Sequence, residues 1–253
     1  MRPNIIEVLT EMTNTSSVET LWNRHCERMA HYGFDRLLYG YTMFSSETSL
    51  GDPNEFLILS NHARAYLAGF VENGLYRDAP MVNWAMANEG ASSWRFVGEK
   101  MERGSVSPKA LKVIEFNMSH DVTSGYSISF KSVSSRTKAA ISLAGKPGLS
   151  QDDVDEIWEK FGAEIVLLNN VMHLKILTLP QPMPNQSLTA RQRESLEWVG
   201  DGKTMYDIAT IMGLTQATVE KHLRLARETL NVDTTAQAVT KAAFQNQIYV
   251  LKS

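Results

Sequence analysis

The chain has 253 residues, 43% of them hydrophobic and 21% charged, enough for two domains of ordinary size. Apolar runs such as Ile165–Leu168 are far shorter than the roughly 20 residues of a membrane-spanning helix, and the lone Cys26 excludes an intramolecular disulfide. The net charge of −3 excludes a generally basic, nucleic-acid-coating protein, so any DNA binding must come from local placement of charge.

The N-terminal segment MRPNIIEVLTEM places Glu7 and Glu11 among its apolar residues. It lacks the apolar run and small-residue cleavage site of a secretory signal, so a cytoplasmic protein without a membrane partner is expected. Helical periodicity runs over roughly Ser17 to Tyr32, and strand-like runs occupy Leu37 to Phe44, Gly125 to Phe130 and Ala139 to Ala144. A long helix opens at Ser150, with Asp152 and Asp153 where acids favour the helix dipole. Its apolar face is Val154, Ile157, Trp158, Phe161, Ile165, Leu168 and Met172. Thr178 to Gln186 holds three of the eight prolines (Pro180, Pro182, Pro184) and no charge, which reads as an extended, semi-rigid linker. The expected architecture is α+β: residues 1–177 form an α/β/α sandwich around a central antiparallel sheet, 178–186 a linker, and 187–253 an all-α four-helix domain.

From Ser187 onward, eight Lys or Arg stand against seven Asp or Glu, a net of +1, leaving −4 for the rest. Thr189 is an N-cap for a first helix burying Leu196 and Val199, which must end at Gly202. A second helix, about Met205 to Met212, is expected to bury Ile208 and Ile211 and to use the small Ala209 at a close approach. Gly213 turns the chain and Thr215 caps a third helix. On it Val219, Leu223, Ala226 and Leu230 form the core stripe, while Ala217, Lys221, Arg224 and Glu228 share another face. A fourth helix, about Thr235 to Gln247 and apolar at Ala238, Val239, Ala242 and Ala243, closes the bundle and offers a dimer contact.

Two short helices joined by a Gly-containing turn specify a helix-turn-helix, whose second helix enters the major groove N-terminus first. Thr215, Gln216, Ala217, Thr218 and Lys221 would then meet bases or nearby phosphates, and Arg224 and Arg227 the backbone. The same geometry also serves protein contacts, and two exposed cations are usually just solvated. The residues Leu188-Thr189, Arg191, Leu196, Gly202-Lys203-Thr204, Ile208-Ala209, Thr218-Val219 and His222-Leu223 nevertheless stand at the spacing of the LuxR-type regulators, whose DNA-binding domain this segment resembles. Gln192 departs from that family's usual glutamate, keeping a hydrogen-bonding side chain without its charge.

Asn14 to Ile176 resembles, more weakly, the acyl-homoserine-lactone sensor of the quorum-sensing branch of that family. The anchors are Gly33-Phe34-Asp35, the segment Tyr66 to Trp94, and Ser124-Gly125 followed by Tyr126 to Phe130. Where the family has Trp-x-x-x-Tyr, then Asp-Pro nine residues after the Tyr and a later Trp, this chain has Tyr66, Phe70, Ala79-Pro80 and Trp94. The resemblance implies that the family's aspartate accepts the ligand's amide N–H, and Ala79 cannot. Losing such a bond, roughly 1.5–3 kcal/mol, weakens a standard lactone ten-fold or more. Tyr66 would donate to a ligand carbonyl, Phe70 lacks the expected hydroxyl, and Ser142 offers another polar group. Gly125, His62 and Met81 complete the candidate ligand-binding set. Each also has a plain packing reading: Tyr66 and Phe70 as core residues one turn apart, Trp94 as packing, Gly125 as a tight strand entry and His62 as surface.

The resemblance implies a small hydrophobic signal buried in the sensor, a homodimer, and an inverted-repeat operator in double-stranded DNA, with RNA polymerase a further partner and no cofactor. The runner-up is a regulator of the same type that binds a non-lactone signal or acts without ligand. An enzyme is disfavoured, because Cys26 has no local nucleophile signature and no phosphate loop or metal-ligand spacing is present. A phosphoryl-receiver domain would need an aspartate where the first strand ends in Ser45 and Ser46.

Overall fold

A computed structural model describes residues 4–43, 50–51, 53–132, 134, 136–181 and 186–249. The chain divides into two compact units, one of Met1–Thr15 and Glu19–Leu174, the other of Ser16–Val18 and Lys175–Ser253. The elements of the first are α1 (Ile5–Asn14), α2 (Val18–His31), β1 (Phe34–Thr42), β2 (Leu57–Ser60), α3 (Arg64–Leu67), α4 (Pro80–Ala87), β3 (Gly90–Ser93), α5 (Arg95–Glu102), α6 (Pro108–Met118), β4 (Gly125–Ser129), β5 (Lys138–Gly145) and α7 (Gln151–Ile176). A π-helical turn at Ala68–Glu72 widens the end of α3, and a 3-10 turn at Leu75–Asp78 leads into α4. Of the expected strand Leu37 to Phe44, Phe44 lies outside the described residues, as do Ser45 and Ser46.

The strands form one antiparallel sheet in the order β2-β1-β5-β4-β3. Strand alternation gives its two faces different residue sizes. One face carries Leu37, Tyr39, Ile141, Leu143, Ile128 and Phe130, all almost fully buried. Each such side chain contributes about 1.5–3 kcal/mol on burial. Against this face lie Trp22 of α2, beside Tyr39 with ring centroids 6.5 Å apart, and two residues of α7. Trp158 stacks on Tyr126 at 3.8 Å, and His173 stacks on Phe130 at 4.3 Å while hydrogen-bonded to the Tyr39 hydroxyl at 2.9 Å. His25 of α2 donates through Nε2 to Asn169 Oδ1 of α7 at 3.0 Å, which gives two buried polar groups each other as partners.

On the opposite face the register lines up small residues across four strands. One row is Gly40, Ala140, Ser129 and Gly90, and the next is Ser142, Ser127 and Ser92, with Leu38 closing it on β1. Such rows leave space above the sheet. Helices α3, α4 and α6 cover it: Phe116 of α6 stacks on Tyr66 of α3 at 5.4 Å, and Ser129 donates to the Ala85 carbonyl of α4 at 2.8 Å.

The second unit contains α8 (Ala190–Gly200), α9 (Met205–Met212), α10 (Gln216–Leu230) and α11 (Thr235–Phe244). A threonine caps each N-terminus. Thr189, Thr204, Thr215 and Thr234 accept from the backbone N–H three residues on, and three of them form full capping boxes. In the first box Gln192 Oε1 accepts from Thr189 N at 2.8 Å, so the uncharged side chain takes the capping bond that a carboxylate would accept there. The core is Leu196, Ile208, Met212, Val219, Leu223, Ala226, Leu230, Ala238 and Ala242.

Two expectations are corrected in this unit. Ile211 is 47% exposed, and Met212 is buried in its place. The αL turn that follows at Gly213 ends α9 so that position 212, one step further round, faces the core. Ala243 is exposed rather than packed in the bundle, next to exposed Phe244. The described part of the Pro-rich segment belongs to this second unit. Leu179 and Gln181 are buried, Gln181 N donates to the Gln245 carbonyl at 3.2 Å, and Asn246 Nδ2 donates to the carbonyls of Leu177 and Leu179. Pro182 and Pro184 lie outside the described residues.

Candidate functional site

The space above the small-residue rows is a cavity of about 140 Å³. Its floor includes Gly40, Ala140, Ser142 and Ser127. Its walls are Tyr66, Phe70 and Val71 from α3 and the π turn, Tyr76 from the 3-10 turn, Met81, Val82 and Met86 from α4, and Trp94. Aliphatic and aromatic groups dominate this lining, so the site favours an apolar guest.

The polar groups are few and mostly committed. Tyr66 donates its hydroxyl to Asn117 Oδ1 at 3.0 Å, and Trp94 Nε1 donates to Ser127 Oγ at 2.9 Å. Tyr66 was expected to donate to a ligand carbonyl. With its proton given to buried Asn117 it presents only acceptor lone pairs, and burial pushes its pKa further above the usual phenol value. The Ser142 and Tyr76 hydroxyls have no partner among the described residues and are free hydroxyls for a ligand to meet.

Five of the eight sequence-predicted ligand residues, Tyr66, Phe70, Met81, Trp94 and Ser142, are on the cavity wall. The other three stand behind it. His62 stacks on Tyr66 with centroids 4.3 Å apart, and burial, aided by the nearby charges of Arg36 and His120, pushes its pKa down to about 4. Ala79 is wholly buried among Tyr66, Phe70, Tyr76 and Trp94, at the N-cap of α4, where it supplies no side-chain cap. Gly125 lies so close to the sheet and to Trp94 that a Cβ would come within 2.3 Å of the Leu143 carbonyl oxygen and 2.8 Å of the Trp94 ring. Its lack of a side chain lets Trp94 lie flat against the strand.

Sequence reading found Ser142 but missed the rest of the floor. Gly40, Ser127 and Ala140 carry no individual signal, yet the alternation of small and large residues in Tyr126–Phe130 and Lys138–Gly145 records one open and one filled face.

A second candidate surface is α10. Gln216, Ala217, Glu220, Lys221, Arg224 and Glu228 are exposed along it, and Val219, Leu223, Ala226 and Leu230 hold it to the core. Thr215 and Thr218 are occupied with each other: Thr215 Oγ1 accepts from Thr218 N at 3.2 Å, and their hydroxyls are 2.9 Å apart. Arg224 pairs with Glu228 one turn on. Arg227, expected to grip phosphate, is instead 21% exposed at its side chain and donates to Thr235 Oγ1 at 2.8 Å and Glu220 Oε1 at 3.2 Å. It ties α10 to α11. Glu220 was overlooked, although it stands beside Lys221 on the exposed face.

Residues 17–176 match the family described as autoinducer binding domain, and residues 186–242 match bacterial regulatory proteins, luxR family. The transcriptional activator protein LuxR of Aliivibrio fischeri is 23% identical over 88% of this chain and 83% of its own length. AnoR of Acinetobacter nosocomialis, also a transcriptional activator protein, is 26% identical over 83% of this chain and 84% of its own. Among solved structures, Escherichia coli SdiA superposes with a TM-score of 0.56 at 15% identity, covering 97% of this chain and 98% of that one. SdiA in complex with octanoyl-rac-glycerol gives 0.52 at 17% identity over 97% of both chains. At such identities the structural likeness concerns the fold alone. The chain belongs to the luxR family of bacterial transcriptional regulators, with an autoinducer-binding domain ahead of a helix-turn-helix domain.

Proposed function

We propose that this regulator takes a small apolar signal into the cavity above the sheet and binds an inverted-repeat operator as a homodimer through α10. The observation that carries the first half is the apolar cavity itself, floored by cross-strand rows of small residues and offering the hydroxyls of Ser142 and Tyr76. A ligand that binds the folded unit raises its stability by mass action, which couples the signal to the amount of competent protein. On this reading the exposed Gln216, Ala217 and Lys221 meet base edges and the exposed Arg224 meets the backbone. Two such helices about 34 Å apart match successive major grooves. The protein acts in the cytoplasm, where RNA polymerase is its further partner. Among the described residues, no helix is long and apolar enough to cross a membrane.

Acyl-homoserine lactones are the first ligands to try. A non-lactone signal is the second reading, and one observation favours it: Ala79 lies behind the wall, and no acidic side chain is among the described residues that line the cavity to accept an amide N–H. The test is the melting temperature of the full chain with a panel of lactones of varied chain length and oxidation. A saturable rise with one lactone supports the first reading. No rise, from folded protein that binds DNA, sinks it in favour of the second.

A further inference from the structure

Lys138 is the one charged side chain among the described residues that line the cavity. It opens β5 on the small-residue face, opposite Thr42 of β1 and two positions before Ala140. Its Nζ donates to the Asn88 carbonyl, just past the end of α4, at 3.0 Å. That bond uses one of three N–H groups and brings no compensating negative charge, since the acceptor is a neutral carbonyl. Glu89, the nearest acidic partner acting on it, is exposed and is not part of the lining. The bond to Asn88 is exposed, so the ammonium stands at the cavity's rim, and partial burial lowers the Lys138 pKa from its ordinary value, the sign of a cation that has lost part of its hydration.

An apolar cavity with one under-compensated ammonium and no acidic group has the polarity of a site for an apolar acid. The cavity's size points the same way, because about 150 Å³ accommodates a benzene-sized guest and 140 Å³ suits a compact tail with its head at the rim. Resting on the reading of this cavity as the signal site, we propose that the signal is an amphipathic carboxylic acid, whose tail fills the cavity and whose carboxylate accepts from Lys138 Nζ. The free hydroxyls of Ser142 and Tyr76 then serve any oxygen along the tail.

Lys138 has a competing role as a cation at the C-terminal end of α4. Substitutions separate the two. Lys138→Gln keeps a donor for the Asn88 carbonyl but removes the charge, Lys138→Arg keeps the charge, and Lys138→Met removes both.

The experiment is titration of the full chain with octanoate, methyl octanoate and N-octanoyl-homoserine lactone, read by calorimetry and by melting temperature. Wild type and Lys138→Arg are expected to bind octanoate about ten-fold or more tightly than the methyl ester, the size of one charge-assisted hydrogen bond. Lys138→Gln and Lys138→Met, each checked for an unliganded melting transition, are expected to lose that preference. Equal binding of acid and ester by wild type, a preference for the lactone, or a preference for acid that survives in Lys138→Gln overturns the carboxylate assignment and leaves the cavity as a signal site. Absence of binding by all three probes removes the cavity reading and the carboxylate assignment with it.

Discussion

The two units solve the packing problem in opposite ways. In the C-terminal unit the start of each of α8 to α11 is capped by a threonine, and the residues from Leu196 to Ala242 form one buried apolar core. In the N-terminal unit one sheet face is filled by Tyr39, Ile141 and Phe130, and the other is built from Gly40, Ala140, Ser127 and Ser142 over a cavity. A cavity lining forfeits contacts it would otherwise make. On the proposed function, the N-terminal unit is thus the one whose stability a cavity ligand would change.

A large effect should come from opening the filled unit. Leu196→Ala removes a fully buried side chain and should cost about 3 kcal/mol by denaturant unfolding. A loss below about 1 kcal/mol would mean that this core is looser than its burial implies.

Acid should strike the other unit. Burial, the largest cause in each case, holds His25, His62 and His173 near pKa 4 against an ordinary 6.5, and all three belong to the N-terminal unit. The unfolded chain takes up protons that the folded unit refuses. Their contribution is complete above pH 6.5 and is lost as pH falls from 6.5 towards 4, by up to about 1.4 kcal/mol per pH unit for each histidine. Melting curves of the N-terminal unit that do not change between pH 7 and 5 would contradict this.

Filling the cavity tests the contrast from the opposite side. Ala140→Leu should raise the melting temperature of the unliganded protein, by the equivalent of about 1 kcal/mol, and abolish its response to any cavity ligand. A variant that is stabilised yet still responds would place the ligand elsewhere. In the C-terminal unit, Thr204→Ala deletes a capping box and should cost about 1 kcal/mol without altering ligand response.

The smallest expected stability change is at Arg224, whose exposed pair with Glu228 contributes little. Arg224→Ala should leave unfolding within about 0.5 kcal/mol of wild type and flatten the salt dependence of DNA binding by about one unit of slope. Arg227→Ala should do the reverse, lowering stability through the lost tie to Thr235.

The same contrast explains what could be read from sequence. Helix caps and apolar periodicity are local, so Thr189, Thr215 and the stripe Val219 to Leu230 were legible one residue at a time. The α7 face and the three central strands were legible for the same reason. Ile211 was misplaced because an αL turn two residues later decides which side of a two-turn helix is buried. The edge strands Leu57–Ser60 and Gly90–Ser93 are four residues each and exist through pairing with distant partners, so nothing local announces them. The cavity was half legible: its aromatic walls stood out as Tyr66, Phe70 and Trp94, whereas its floor depends on which small residues the register brings side by side. Hydrogen-bond commitments such as Tyr66 to Asn117, 51 positions apart, were out of reach.

The most direct measurement is amide hydrogen exchange of the ligand-free full chain, resolved by segment. The expected result is higher protection in α8 to α11 than in the cavity wall from Arg64 to Ala87, with ligand raising protection in the wall alone. Equal protection of the two in the absence of ligand, or a ligand that protects only the C-terminal helices, would contradict the assignment of the cavity as the adjustable part of this regulator.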